Sequence, residues 1–169
     1  MKRFVFTVIV LMFCMTTMAK VKITSGNCSF LQEKTTAIVV FDYSEASWEE
    51  TETYEQWCGE DYAERVKLGY DAFILGFNSE SSKLKIKKED SLAKYRITIK
   101  ISTMEQRPSG MWGRFYALCS GTITVEDIVS GEIVCTAEFK REDGTEDFVP
   151  NDRLAKCFNA LGKATVRMR

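Results

Sequence analysis

Histidine is missing from all 169 residues. With it go Ser-His-Asp and Cys-His nucleophile activation, HExxH zinc sites and every other imidazole-ligated metal. Proline is nearly missing too, with only Pro108 and Pro150, and no Gly-rich linker, internal repeat or low-complexity tract divides the chain. An excess of one charge is also absent: 23 Lys and Arg face 24 Asp and Glu. That balance excludes a strongly basic polyanion binder and an acidic disordered chain, so no nucleic acid partner is expected. No CxxC pair occurs among the six cysteines, and no cofactor motif is legible. Neither a cofactor nor a metal is expected. By length this is one domain with one core.

The chain opens as an export signal does. Met1, Lys2 and Arg3 form a positive start, Phe4 to Met15 is apolar apart from Thr7, and Thr17 and Ala19 place small residues before a cleavage point. Phe4 to Ala19 would span about 24 Å as a helix, against a hydrocarbon core of about 30 Å. The reading is therefore a signal peptide at 1–19 and a single domain at 20–169, with no retained transmembrane segment and a periplasmic or extracellular destination. Cys14 follows Phe13 rather than a small residue, which disfavours lipidation. Cleavage leaves Cys28, Cys58, Cys119, Cys135 and Cys157. A hairpin turning near Ser130 and Gly131 would pair Cys135 with Glu126, which puts Cys119 too far along the ladder for a Cys119–Cys135 bridge. Both read as buried thiols, and a Cys58–Cys157 bridge between two helices stays open.

Hydrophobic spacing orders the rest. Thr35 to Tyr43 is an apolar, β-branched run that predicts a central strand. Ser47 to Glu50 has capping-box spacing, and Tyr54, Cys58, Tyr62, Val66, Tyr70, Phe73 and Phe77 mark one face of a long helix from Ser47 to Ser79. Gly59, Gly69 and Gly76 weaken it. Leu84 and Ile86 among lysines suggest a short edge strand. Tyr95 to Ile101, Phe115 to Val125 and Ile133 to Phe139 alternate apolar and polar residues, which marks an antiparallel sheet covered on one face. A last helix follows Pro150, with Leu154, Cys157, Phe158, Leu161 and Met168 as its apolar stripe. The predicted fold class is α+β: a two-layer sandwich of a mainly antiparallel sheet, about five strands, with two helices on one face.

Several constellations invite chemical readings. Val39 to Ser44 resembles the opening of a haloacid-dehalogenase-type phosphatase, but the second Asp of its Asp-x-Asp is Ser44, and the later strands are antiparallel. Asp42 reads as a strand terminator. Glu49, Glu50, Glu52, Glu55, Glu60, Asp61 and Glu64 read as a solvated helix face, with Asp61 and Arg65 an i,i+4 pair. The segment Glu142 to Asp147 lacks the spacing of a calcium loop. Cys58 beside Glu60 and Asp61 has neighbours that raise a thiol pKa, which argues against a catalytic thiolate. Lys83, Lys85, Lys87, Arg96, Lys100 and Lys140 could form a basic sheet face or a solvated one. Met111 and Trp112, between Gly110 and Gly113 on a loop joining two strands, are the candidate partner-contact site. The competing reading has Trp112 folding back to cap the sheet.

Gly121 to Val134, followed by a strand and a helix containing Leu161, Gly162 and Lys163, resembles the second half of exported bacterial domains of the TolB amino-terminal and curli-secretion lipoprotein type. AIVVFDYS is similar to their leading apolar strand. The resemblance implies a non-enzymatic envelope module whose partner is another envelope or secreted protein. A second expectation is a small-ligand domain in which Trp48, Tyr54, Trp57 and Tyr62 line a cleft between helix and sheet. A carboxylate-based hydrolase is the third.

Overall fold

The computed structural model describes residues 21–109, 114–143, 147 and 149–168. The proposed signal segment, Met111 and Trp112, and part of the acidic segment before Asp147 lie outside the described residues. Among the described residues the chain is α+β, with two long helices and a mixed sheet of eight strands. The strands are β1 (Val21–Gly26), β2 (Thr36–Asp42), β3 (Ser47–Trp48), β4 (Glu52–Thr53), β5 (Lys85–Ile86), β6 (Tyr95–Ser109), β7 (Arg114–Asp127) and β8 (Ile133–Asp143). The helices are α1 (Tyr54–Cys58), α2 (Tyr62–Glu80) and α3 (Pro150–Val166). Along the sheet the order is β1-β8-β7-β6-β2-β5, and β3 joins β6 with β4 at its side.

The antiparallel part is the one the alternation foretells. β6 pairs β7, and β7 pairs β8, each antiparallel. Ile97, Ile99, Ile101, Ile123, Val125, Ala137 and Phe139 are buried beneath the helices. The turn before β8 lies where Ser130 and Gly131 mark it, with Gly131 at φ +73°. Its register differs by one step: Val125 pairs Cys135, with a shift at Glu126. Cys119 pairs Glu142 instead, well away from Cys135.

Three features depart from the prediction. β1 adds an unforeseen strand at the edge, antiparallel to β8. β2 pairs in parallel with both β6 and β5, so the sheet is mixed although its longest pairings are antiparallel, and it is larger than about five strands. The expected helix from Ser47 is broken. Trp48 is drawn into the core as strand, pairing Met104, while Glu49 and Glu50 take left-handed backbone at φ 49° and 60°. The capping box belongs to Thr53, whose hydroxyl accepts from the Gln56 N–H while the Gln56 side chain accepts from the Thr53 N–H. Gly59 at φ 56° then turns the chain before α2 begins.

α2 buries Phe73 and Phe77, and α3 buries Leu154, Cys157, Phe158 and Leu161, as the apolar stripes indicate. Pro150 is the first helical residue, and Val149 holds the N-cap position. The two helices pack on each other, and α3 lies over β7 and β8.

Candidate interaction site at the end of the β6–β7 ribbon

β6 and β7 run on after the rest of the sheet has thinned. Register shifts fall at Ser102 in β6 and at Ser120 in β7, neighbouring positions of the β6–β7 pairing. Beyond them the pairing persists through Met104 with Cys119, Gln106 with Ala117 and Arg107 with Tyr116, out to Ser109 with Arg114. From Ser102 to Ser109 the ribbon extends about 23 Å. β3 covers β6 only at Thr103 and Met104, and further out Pro108 lacks the N–H that an added strand would need. On the other side Phe115 and Asp147 exchange backbone hydrogen bonds of 3.2 and 3.1 Å.

The ribbon is braced close to its outer end. Arg153, at the start of α3 and only 8% exposed, lies with its guanidinium 5.3 Å from the centre of the Phe115 ring. It donates to the Asp147 carbonyl at 3.4 Å and to the Gln106 side chain at 3.5 Å. Burial pulls its pKa down and the nearby Asp147 carboxylate opposes that. Lys156 forms an ion pair with the same carboxylate. Arg107, Pro108 and Arg114 are exposed at the outer end, with Tyr116 half-buried beside Arg107. Pairing of Ser109 with Arg114 leaves residues 110–113, with Met111 and Trp112, as the connection. The two arginines and Tyr116 were not anticipated as site residues. Tyr116 already stands in the alternation from Phe115 to Val125, and one further step back along it reaches Arg114, whereas Arg153 meets the ribbon only through tertiary packing.

The other sequence candidates fall elsewhere. Trp48, Tyr54, Trp57 and Tyr62 come together, but they pack on one another. The Trp48 and Trp57 rings stack at 3.5 Å, Tyr54 stacks on Tyr43 at 5.4 Å, and the Arg65 guanidinium sits 4.4 Å over Trp57. Trp48 and Tyr54 are buried core residues. Burial is the main cause that raises the Cys58 pKa, with Asp61 a lesser contributor, while Tyr54 and Arg65 oppose it. Asp42 accepts from the Ser44 N–H at 2.9 Å and its pKa is lowered by that residue, as a strand-ending Asx turn would have it. Asp61 and Arg65 pair at 3.1 Å as their spacing predicts.

The uncovered sheet face carries a cross-strand row of Lys22, Glu138, Thr122, Lys100 and Asp42. A hollow of about 480 Å³ lies along it, bordered by Glu45, Lys100, Thr122, Glu138 and Lys140. Its cations face carboxylates: Lys100 meets Glu45 at 2.7 Å, and Arg96 meets Glu126 at 3.0 Å. Lys85 is turned away, donating to the Asn78 carbonyl at 2.8 Å, and Lys87 pairs Asp90 at 3.1 Å. The face is charge-balanced rather than basic. No helix of the described residues is long and apolar enough to cross a membrane.

No family model matches the chain. No curated protein matches it either, so the resemblance to the TolB amino-terminal and curli-secretion domains rests on its sequence motifs. Solved structures are similar in outline. The PelC dodecamer protein from Paraburkholderia phytofirmans is 16% identical, with 88% of this chain and 98% of that one covered and a TM-score of 0.48. A protein of family model DUF330 from Xanthomonas campestris is 11% identical, with 78% of each chain covered and a TM-score of 0.43. A neuraminyllactose-binding hemagglutinin homolog from Helicobacter pylori is 9% identical over 79% of this chain and 82% of that one, with a TM-score of 0.33. At these values the likenesses assign neither an activity nor a partner to this chain.

Proposed function

We propose that the chain is an exported, non-enzymatic interaction module of the bacterial envelope, which grips another protein with the outer end of the β6–β7 ribbon. Pairing that continues to Ser109 and Arg114 is the observation that carries this reading. The four residues between those strand ends include Met111 and Trp112, two large apolar residues in a loop sequence on a braced scaffold, the kind of segment that binding loops favour. Arg107 and Arg114 beside them suit a partner surface that is apolar at its centre and acidic around it. Export rests on the opening charged and apolar segment, with cleavage before Lys20 and one folded unit from there to Arg169. β1 begins at Val21, so cleavage there would spare the whole edge strand.

The test is the double change Met111→Ser with Trp112→Ser. Folding stability stays within about 1 kcal/mol of the parent, while capture of the partner cross-linked in the envelope fraction is lost. Marked destabilisation with capture retained per folded molecule would make Trp112 a cap on the sheet and refute the site.

A further inference from the structure

We infer that Cys119 and Cys157 are joined as a disulfide in the exported protein, fastening α3 to β7. Their sulfurs lie 3.5 Å apart, one on the inner face of the sheet and the other on the helix that covers it. Both residues are fully buried, so each thiol faces the other within the core. A disulfide requires about 2.0 Å between sulfurs, a closing movement small enough for side-chain rotation and a slight shift of the helix. The pairing differs from both that the spacing raised. Cys135 sits on β8, opposite Val125 of β7 and well along the strand from Cys119, and Cys58 lies beside Tyr54 and Arg65.

The inference rests on the export reading, since cytoplasmic thiols are kept reduced. In the reaction each thiol gives up its proton and two electrons pass to an oxidant disulfide, either oxidised glutathione or the disulfide of an exchange catalyst. One S–S bond forms between Cys119 and Cys157 while the oxidant's S–S bond opens to two thiols. Because both sulfurs are shielded in the folded state, the exchange belongs to folding, before α3 closes over β7. Residues 38 apart are then linked, and the restricted unfolded chain raises the melting temperature by roughly 5–10 °C.

Two preparations separate this inference from the reading beneath it: protein taken from the source organism with thiols trapped by acid and alkylation, and the same protein reduced, unfolded and refolded with oxidised glutathione. Trypsin is combined with a Glu-specific protease, because Cys119 and Cys135 share the tryptic peptide 115–140. The expected result in both is a linked peptide pair containing Cys119 and Cys157, with Cys157→Ser abolishing the link and the melting-temperature gain. Alkylated Cys119 and Cys157 in both preparations, or a Cys58–Cys157 link in their place, overturns the inference. Linkage on refolding with alkylated thiols in the cell-derived protein upholds the pairing and counts against export.

Discussion

Glycine at two points of the helix layer decides how closely α2 and α3 approach. A Cβ on Gly76 would stand 2.1 Å from the Asn159 carbonyl oxygen, and one on Gly162 would stand 2.3 Å from that of Phe73. The obstacle is backbone in both cases, so neighbours cannot rotate aside. On an exposed helix, Gly→Ala stabilises by about 1 kcal/mol. Here Gly162→Ala is expected to destabilise by about 2 kcal/mol, because the helices must separate to admit the methyl group. Denaturant unfolding of the variant reads the sign directly. Charged side chains set a second residue-scale behaviour. Lys94 at 2.6 Å and the Tyr95 hydroxyl at 2.7 Å both lower the Glu33 pKa, Lys88 lowers that of Asp71, and Thr36 lowers that of Asp90. A lowered carboxylate pKa adds stability above its unfolded value, and the gain is lost as pH falls through the folded value. Melting temperature should therefore hold steady near neutrality and fall below about pH 4, and Lys94→Met should flatten part of that acid limb.

At the scale of elements, the capping residue is where the sequence misleads. Ser47 and Thr53 both precede a Glu or Gln three residues on, so local spacing cannot choose between them. Tertiary demand does: Trp48 is worth more stacked on Trp57 and paired with β6 than wound into a first helical turn. Thr53→Ala should cost about 1 kcal/mol and Ser47→Ala less than about 0.5 kcal/mol, measured by equilibrium unfolding. Strands that alternate, such as Tyr95 to Ile101, were legible because facing is written every second residue. The placement of β2 between β5 and β6 was not, since strand order and direction are set by long-range pairing. β1 escaped notice because a short run after an apolar leader looks like its tail. Of the candidate site, Met111 and Trp112 were visible as a Gly-flanked apolar pair. The ribbon that carries them, and the brace of Arg153 on Phe115, arise only when α3 docks.

For the whole molecule, one sheet face is closed by α2 and α3 and the other is polar with its charges paired. Beyond the last pair of β7 with β8, Leu118 with Asp143, β6 and β7 continue together to Ser109 and Arg114, and recognition is placed at that end. The most direct test substitutes a photoreactive amino acid for Trp112 in the full chain, expressed in the source organism, with Ser130 in the turn at the opposite end of β7 as the comparison position. The account predicts a single cross-linked protein from position 112 on illumination and none from position 130. Equal cross-linking from the two positions, or none from position 112 in protein that melts like the parent, would contradict it.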